Sequence, residues 1–209
     1  MALVKICGIR READIEYVNR HLPDYIGFVF TPSKRRITID FSRYLVSNLN
    51  PRIKKAGIFV NEDLNQVVSA AESCELDAVQ IHGDESPGYI SELRRRLGSR
   101  TKVWKAVRVK EPDSIKSLDE YEADSYVLDA YSESGYGGAG ITFDWNIAAE
   151  CKKYGNIILA GGLNVQNLSE AIRTVSPYAV DVSSGVETEG FKDEDKIKKF
   201  IYAARCNVY

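Results

Sequence analysis

Short apolar stretches alternate with longer amphipathic stretches along the whole chain. The apolar stretches have the length and residue types of β-strands, and they predict strands at 4–9, 25–30, 54–60, 78–83, 102–109, 126–131, 157–162 and 179–184. The amphipathic stretches predict helices near 12–21, 41–49, 64–74, 87–98, 114–123, 143–154, 165–175 and 193–205. Strands that alternate with helices in this way are typical of repeated βα units around a parallel sheet.

The number of units predicts the fold class, which is α/β. Eight βα units, with no linker or change of composition between them, favour a single (β/α)8 TIM barrel that occupies residues 1–209 as one domain. An open doubly wound sheet uses the same local pattern, and the eightfold count is what favours the barrel. With 209 residues and 44% hydrophobic content, the chain is long enough to bury a substantial core.

Alternation within the strands predicts which side chains point into the barrel. In the first strand, Val4 and Ile6 face the helices, while Lys5 and Cys7 face inward. The same alternation turns other polar residues inward near strand ends, namely Gln80, His82, Asp129, Asp181 and Ser183. The carboxyl ends of barrel strands carry the active sites of barrel enzymes, so we expect chemistry at this rim. Lys5 and Asp181, on adjacent strands, are expected to form a structural ion pair. Lys105 interrupts the pattern of the fifth strand.

Charge and composition exclude several classes of function. The 28 basic and 30 acidic residues leave a net charge of −2, so no general basic field attracts nucleic acid. Four separated cysteines and two histidines predict no disulfide framework and no metal site. No apolar run approaches the ~20 residues of a membrane span, and no signal-peptide pattern is present at the start. We therefore expect a soluble cytoplasmic protein with no membrane partner.

Two residues at the predicted rim are candidates for acid–base chemistry. Cys7 ends the first strand and precedes Gly8, and Asp129 ends the sixth strand. A thiol and a carboxyl group that face each other across a ligand are suited to isomerisation by proton transfer. Structural alternatives remain at both positions, since buried cysteines are more often inert and a rim aspartate often caps its own loop.

Two kinds of anion site are also predicted. The loops after the seventh and eighth strands contain small residues suited to a phosphate cradle of the kind common in TIM barrels, and they are Gly161, Gly162, Ser183, Ser184 and Gly185. The loop after the second strand, TPSKRRIT, concentrates positive charge. Arg35, or its neighbour Arg36, is suited to bind a substrate carboxylate with two hydrogen bonds, although solvated surface arginines are common.

Further residues are candidates for the wall of a substrate pocket. His82 lies inward at the end of the fourth strand. The loop after the sixth strand, SESGYGGAG, holds four glycines in nine residues, and Gly137 and Gly138 can bring bare backbone close to a ligand. A glycine-rich loop is also compatible with a simple connection.

The sequence strings resemble one enzyme family along nearly the whole chain and in the right order. The strings are KICGI, GFVF followed by SKRRI, AGIFVN, VQIHGDE, GYGGAGITFDW, AGGLN and VDVSSGVE. Together they look like the phosphoribosylanthranilate isomerases of tryptophan biosynthesis. Some strings are weak alone, but their conjunction is specific.

The resemblance implies a small phosphorylated substrate and a reaction without a cofactor. That reaction is the Amadori rearrangement of N-(5-phosphoribosyl)anthranilate to 1-(2-carboxyphenylamino)-1-deoxyribulose 5-phosphate. It implies Asp129 as general acid, Cys7 as general base, Arg35 at the substrate carboxylate, and the seventh and eighth strand loops at the phosphate. It leaves open whether the protein is a monomer or a homodimer.

Two alternatives stay open at this point. One is another phosphosugar isomerase on the same barrel, although the dual-substrate kind works with a pair of aspartates where this chain has Cys7 and Asp129. The other is a catalytically inactive barrel that binds a phosphorylated ligand, for which neither Cys7 nor Asp129 is needed.

Overall fold

A closed barrel of eight parallel strands forms the centre of the molecule. The computed structural model describes residues 1–131 and 142–206. The strands are β1 (Leu3–Cys7), β2 (Tyr25–Val29), β3 (Lys54–Phe59), β4 (Ala78–Ile81), β5 (Lys102–Val109), β6 (Ser125–Ala130), β7 (Ile157–Leu159) and β8 (Ala179–Val182). Each strand pairs with the next, and β8 pairs with β1 to close the ring. The predicted TIM barrel is confirmed.

Seven α-helices lie between and after the strands in the described part of the chain. They are α1 (Glu12–His21), α2 (Ile39–Val46), α3 (Leu64–Ser73), α4 (Pro87–Leu97), α5 (Trp145–Glu150), α6 (Leu168–Val175) and α7 (Glu194–Cys206). Local signals explain several ends: Ser86 caps α4 with Pro87 in its first turn, and Gly98 ends it with a φ of 62°. Asp63 caps α3, because its side chain accepts hydrogen bonds from the backbone N–H groups of Asn65 and Gln66. The chain of residues 1–131 and 142–206 contains no helix long and apolar enough to span a membrane.

The predicted helix at 114–123 is wrong. This segment forms two short 3-10 helices, Pro112–Ile115 and Leu118–Glu120. The Ser114 hydroxyl accepts hydrogen bonds from the backbone N–H groups of Lys110 and Glu111 at 3.2 and 3.3 Å, which competes with α-helical bonding. The buried residues Ile115 and Leu118 lie three positions apart, which matches the tighter 3-10 turn.

Two other helices are shorter than predicted. The segment 143–154 is α-helical only over α5 and continues as a 3-10 helix, Cys151–Tyr154. The segment 165–175 begins at Leu168, because the Asn164 side chain accepts hydrogen bonds from the backbone of Gln166 and Asn167 and forms a turn there. Both differences shorten a helix without changing the order of elements.

Apolar packing occurs in two layers, one inside the barrel and one between the barrel and the helices. The inner layer is small and includes Trp104 and Ala106, so these two side chains face inward. Lys105 between them therefore points outward, where its ammonium group lies 3.2 Å from a carboxylate oxygen of Glu85 and donates to the carbonyl of Gly83 at 2.6 Å. The inner apolar layer reaches the cavity at Ala160, where it meets the polar residues.

A short hairpin, not predicted from the sequence, follows β8. It consists of β9 (Glu187–Thr188) and β10 (Phe191–Lys192), preceded by a 3-10 helix at Ser184–Val186. Its strands have two residues each, too short for a detectable alternation of polar and apolar positions. We call residues 187–192 the rim hairpin, since it brings Glu187 and Lys192 to the carboxyl end of the barrel.

Candidate active site

A cavity of about 400 Å³ opens at the carboxyl ends of the strands. Seven of the eight strands end earlier than the sequence predicted, so residues such as His82, Gly161 and Ser183 lie in the first positions of the loops. The cavity is lined by both candidate catalytic residues, Cys7 and Asp129, and by side chains and backbone from the surrounding strands and loops, including Arg35, Gln80, His82, Gly161, Gly162, Asp181, Ser183 and Ser184. A single cavity therefore brings most of the predicted site together.

The Cys7 thiol is partly buried at the end of β1. Its partner across the β1–β2 ladder is Gly27, where an added Cβ would lie only 2.9 Å from the Cys7 sulfur. A glycine on β2 thus leaves room for the thiol. Burial raises the pKa of Cys7 and Asp181 raises it further, while Lys5 and Lys192 oppose this rise. The local cations favour the thiolate, but burial outweighs them in the free protein.

Lys5 is buried directly below Cys7 and is fully engaged. Its ammonium group donates to Asp181 at 2.7 Å and to Gln80 at 3.0 Å. The expected ion pair between Lys5 and Asp181 is therefore confirmed, and it bridges the strands that close the barrel. One Asp181 carboxylate oxygen, Oδ1, is buried without a hydrogen-bond partner among the described residues, and Asp181 lines the cavity.

Asp129 ends β6 on the inward side and is 7% exposed. One carboxylate oxygen accepts a hydrogen bond from the backbone N–H of Ala130 at 2.9 Å, and the other lies 3.6 Å from Nε2 of His82. Burial and the nearby charge of Asp181 raise the pKa of Asp129 to about 6, although Ala130 and Lys5 oppose the rise. A carboxyl group with this pKa retains an accessible protonated form near neutral pH, which suits a general acid.

Arg35 reaches the cavity from the loop after β2, whereas Arg36 is exposed. Two nitrogens of the Arg35 guanidinium donate to the two carboxylate oxygens of Glu187, at 2.7 and 2.8 Å. Lys192 also donates to Glu187, at 2.9 Å. Burial alone would raise the pKa of Glu187, but the hydrogen bonds from Arg35 and the charge of Lys192 outweigh it and lower that pKa to about 2. The rim hairpin thereby holds Arg35 in place by one edge of its guanidinium.

The loops after β7 and β8 form the wall predicted as a phosphate cradle. Gly161 and Gly162 have φ values of 79° and 61°, which favour glycine, and an added Cβ at Gly161 would lie 2.6 Å from the backbone nitrogen of Ala130. The Ser183 hydroxyl donates to the Cys7 carbonyl at 3.0 Å and accepts a hydrogen bond from the Lys192 ammonium group at 3.4 Å. Gly185 lies outside the cavity lining, and its close approach to the Leu163 carbonyl explains why it is a glycine.

Sequence reasoning missed Gly27, Glu187 and Lys192. A glycine in a strand is a recognisable signal of close approach, whereas Glu187 had only its place in the string VDVSSGVE and Lys192 had none. Gly137 and Gly138, predicted to line the substrate pocket, lie outside the described residues. His82, the other residue predicted for the wall of the substrate pocket, lines the cavity.

A family model and a curated relative point to the same family. The family model described as N-(5'-phosphoribosyl)anthranilate (PRA) isomerase matches residues 4–203. An N-(5'-phosphoribosyl)anthranilate isomerase from Acetivibrio thermocellus is 50% identical to this chain, with 98% of this chain and 96% of that protein covered.

Solved structures show the same likeness. A dimeric phosphoribosylanthranilate isomerase from Thermotoga maritima, solved as generated monomers, is 39% identical with a TM-score of 0.84, and the match covers 98% of this chain and 99% of that one. An isomerase solved in complex with reduced 1-(o-carboxyphenylamino)-1-deoxyribulose 5-phosphate is 37% identical with a TM-score of 0.84 and the same coverage. The chain belongs to the N-(5'-phosphoribosyl)anthranilate isomerase family.

Proposed function

We propose that this protein converts N-(5-phosphoribosyl)anthranilate to 1-(2-carboxyphenylamino)-1-deoxyribulose 5-phosphate, an isomerisation in tryptophan biosynthesis, with Asp129 as general acid and Cys7 as general base. The observation that carries the proposal is that both residues line one cavity whose walls also hold Arg35 and the loops after β7 and β8. The substrate has a carboxylate at one end and a phosphate at the other. A cavity with a buried arginine and a glycine-serine cradle suits such a molecule.

The protein's part in the proposed reaction consists of proton transfers. Asp129 gives its proton to the ribose ring oxygen, so the ring C–O bond breaks and a Schiff base forms at C1. Cys7 as thiolate then removes the proton from C2, and the electron pair of that C–H bond neutralises the iminium nitrogen through an enolamine. The enolamine gains a proton at C1 and loses one from the C2 hydroxyl, which yields the ketone.

The electrostatics of the cavity are compatible with these roles, but only a minority of the molecules hold the ionisation states that the reaction needs. Asp129 must be protonated and Cys7 ionised, yet the pKa of Asp129 is about 6 and burial raises the pKa of Cys7 above its ordinary 9.0. Between these values most molecules hold the opposite ionisation of the pair. Groups that favour the Cys7 thiolate, above all Lys5, therefore increase the active fraction.

Arg35 is proposed as the receptor of the substrate carboxylate. Glu187 occupies the guanidinium edge formed by Nε and one terminal nitrogen. The other terminal nitrogen has no hydrogen bond to a described residue, so it is available to bind an anion in the cavity. The backbone N–H groups of Gly161 and Gly162, with the Ser183 and Ser184 region, are proposed to hold the phosphate. We propose cytoplasmic action, as a monomer or homodimer, without a cofactor.

The test is a fluorescence assay of phosphoribosylanthranilate consumption by the purified protein without added metal. We expect activity in the unchanged protein and a loss of at least about a hundredfold in kcat in Cys7→Ala and in Asp129→Asn. Cys206→Ala and Asp119→Asn, at exposed positions, are matched controls expected to keep full activity. An inactive native protein that still binds the product would favour the non-catalytic barrel, and full activity in Cys7→Ala or Asp129→Asn would contradict the assigned roles.

A further inference from the structure

Four buried side chains cross the barrel from below Cys7 to Asp129. Lys5 donates to Oε1 of Gln80 at 3.0 Å, Nε2 of Gln80 lies 3.3 Å from Nδ1 of His82, and Nε2 of His82 lies 3.6 Å from the carboxylate of Asp129. All four residues are at most 7% exposed. The series connects the surroundings of the proposed base with the proposed acid.

The donors and acceptors of these groups determine the direction of each hydrogen bond in the series. An ammonium group has donors only, so the oxygen of the Gln80 amide must face Lys5 and the NH2 group must face His82. The NH2 group also has donors only, so Nδ1 of His82 must accept. In a neutral imidazole the proton then resides on the other nitrogen, Nε2, which is the nitrogen near Asp129.

His82 is neutral at physiological pH, so the tautomer is the relevant question. Burial, with the positive charges of Lys5, Lys105 and Arg108 acting in the same direction, lowers the pKa of His82 to about 3. Asp129 is the carboxyl group that faces the ring, with one oxygen 3.6 Å from Nε2 of His82. A second proton at Nδ1 would also bring two donors together at the Gln80 amide.

We propose that Gln80 is a positioning residue that holds His82 as its Nε2–H tautomer, so that His82 presents a donor to Asp129 and offers no acceptor for the proton of the Asp129 carboxyl group. The opposite tautomer would present a bare nitrogen to Asp129. That nitrogen would accept the acid proton, either as a hydrogen bond or by transfer, and would compete with the substrate for it. The Nε2–H tautomer of His82 therefore leaves the proton of Asp129 available to a substrate in the cavity.

The role in catalysis rests on the proposed function of Asp129, but the tautomer itself is measured without substrate. Nitrogen-15 NMR distinguishes a protonated ring nitrogen from a bare one. The chain has only two histidines, His21 and His82, so a His21→Gln variant contains His82 alone. We expect Nε2 to be protonated and Nδ1 to be bare from about pH 5 to pH 8. A protonated Nδ1, or a mixture of tautomers, would overturn the proposal.

The role of Gln80 is tested in the same background with Gln80→Met, which keeps the side-chain volume but removes the amide. Gln66→Met, at an exposed position, is the matched control. We expect Gln80→Met to lose the single Nε2–H tautomer and to lower kcat by about tenfold to a hundredfold, which is part of the roughly 10²–10⁴-fold that a general acid contributes, with KM within twofold of the unchanged protein. Gln66→Met is expected to change neither quantity.

An unchanged tautomer and kcat in folded Gln80→Met would overturn the proposal. If that variant does not fold, as judged by circular dichroism, the measurement on the His21→Gln protein still decides the tautomer. Failure of the proposed function has a different signature, because a protein inactive on phosphoribosylanthranilate would still give the expected nitrogen-15 spectrum.

Discussion

The Cys7 thiol lies beside linked ion pairs that contain five charged side chains, of which Lys5, Asp181 and Lys192 act directly on its pKa. Lys5 pairs with Asp181, and Glu187 pairs with both Arg35 and Lys192, so the group carries one net positive charge. A thiolate at Cys7 would neutralise this charge. Burial works in the opposite direction and dominates in the free protein. The local excess of positive charge therefore limits, without abolishing, the cost of forming a buried thiolate.

Arg35 and Arg36 provide a matched test of the carboxylate receptor. Arg35→Lys keeps the positive charge but loses the fork that binds Glu187 and a second anion together. We expect KM for phosphoribosylanthranilate to rise by about tenfold to a hundredfold, since hydrogen bonds to charged groups contribute about 1.5–3 kcal/mol. Arg36→Lys, at an exposed position, should leave KM within twofold. Equal effects of the two substitutions in steady-state kinetics would contradict the assignment of Arg35.

At the scale of elements, alternation within strands predicted much of the site, and irregular segments limited the prediction. The period of two turned Cys7, His82 and Asp129 toward the same cavity. A loop has no period, so the sequence could not separate Arg35 from Arg36. For the same reason it missed Glu187 in the rim hairpin, whose partner Arg35 lies 152 positions earlier in the chain.

The β7 loop offers a test in which backbone strain is held constant. Gly161 and Gly190 have nearly equal φ values, 79° and 80°, but an added Cβ at Gly161 would lie 2.6 Å from the Ala130 nitrogen, whereas one at Gly190 meets no atom within 4 Å. Both alanine variants carry the strain of a positive φ, about 1–2 kcal/mol. We expect Gly161→Ala to lose at least about 1 kcal/mol more stability than Gly190→Ala, because something must shift to relieve the overlap.

The same pair of variants tests the cradle. Gly161→Ala should also weaken inhibition by inorganic phosphate, whereas Gly190→Ala should not. Urea unfolding and inhibition kinetics on both proteins measure the two effects. Equal stability and equal phosphate inhibition would exclude Gly161 from the cradle.

At the scale of the whole molecule, the barrel separates stability from chemistry. The inner apolar layer lies inside the ring of strands, and that ring closes through β8 and β1. Ionisable groups occupy the upper barrel, where burial perturbs them. The pKa shifts of these groups depend on burial inside the closed ring. The sequence therefore predicted which groups meet but not their pKa values.

Burial of the ionised Asp129 carboxylate destabilises the folded protein above about pH 6, which predicts a pH dependence of stability. Its pKa is about 6 in the folded protein against an ordinary 3.8, so the folded state binds a proton that the unfolded state does not. The stability gained from that proton is complete below the ordinary pKa and is lost as pH rises through about 6. Acidification from about pH 7.5 to pH 5 should therefore stabilise the protein by about 1.4 kcal/mol through this residue.

The contribution of Asp129 is isolated by comparison with Asp129→Asn. The variant lacks the titrating group, so its free energy of unfolding should change by about 1.4 kcal/mol less over the same interval. Glu187 does not interfere, because its pKa is lowered from 4.5 to about 2 and its contribution is lost only at lower pH. Urea titrations of both proteins at the two pH values give the difference. An equal pH response in the two proteins would mean that Asp129 is not the buried acid that the proposed mechanism requires.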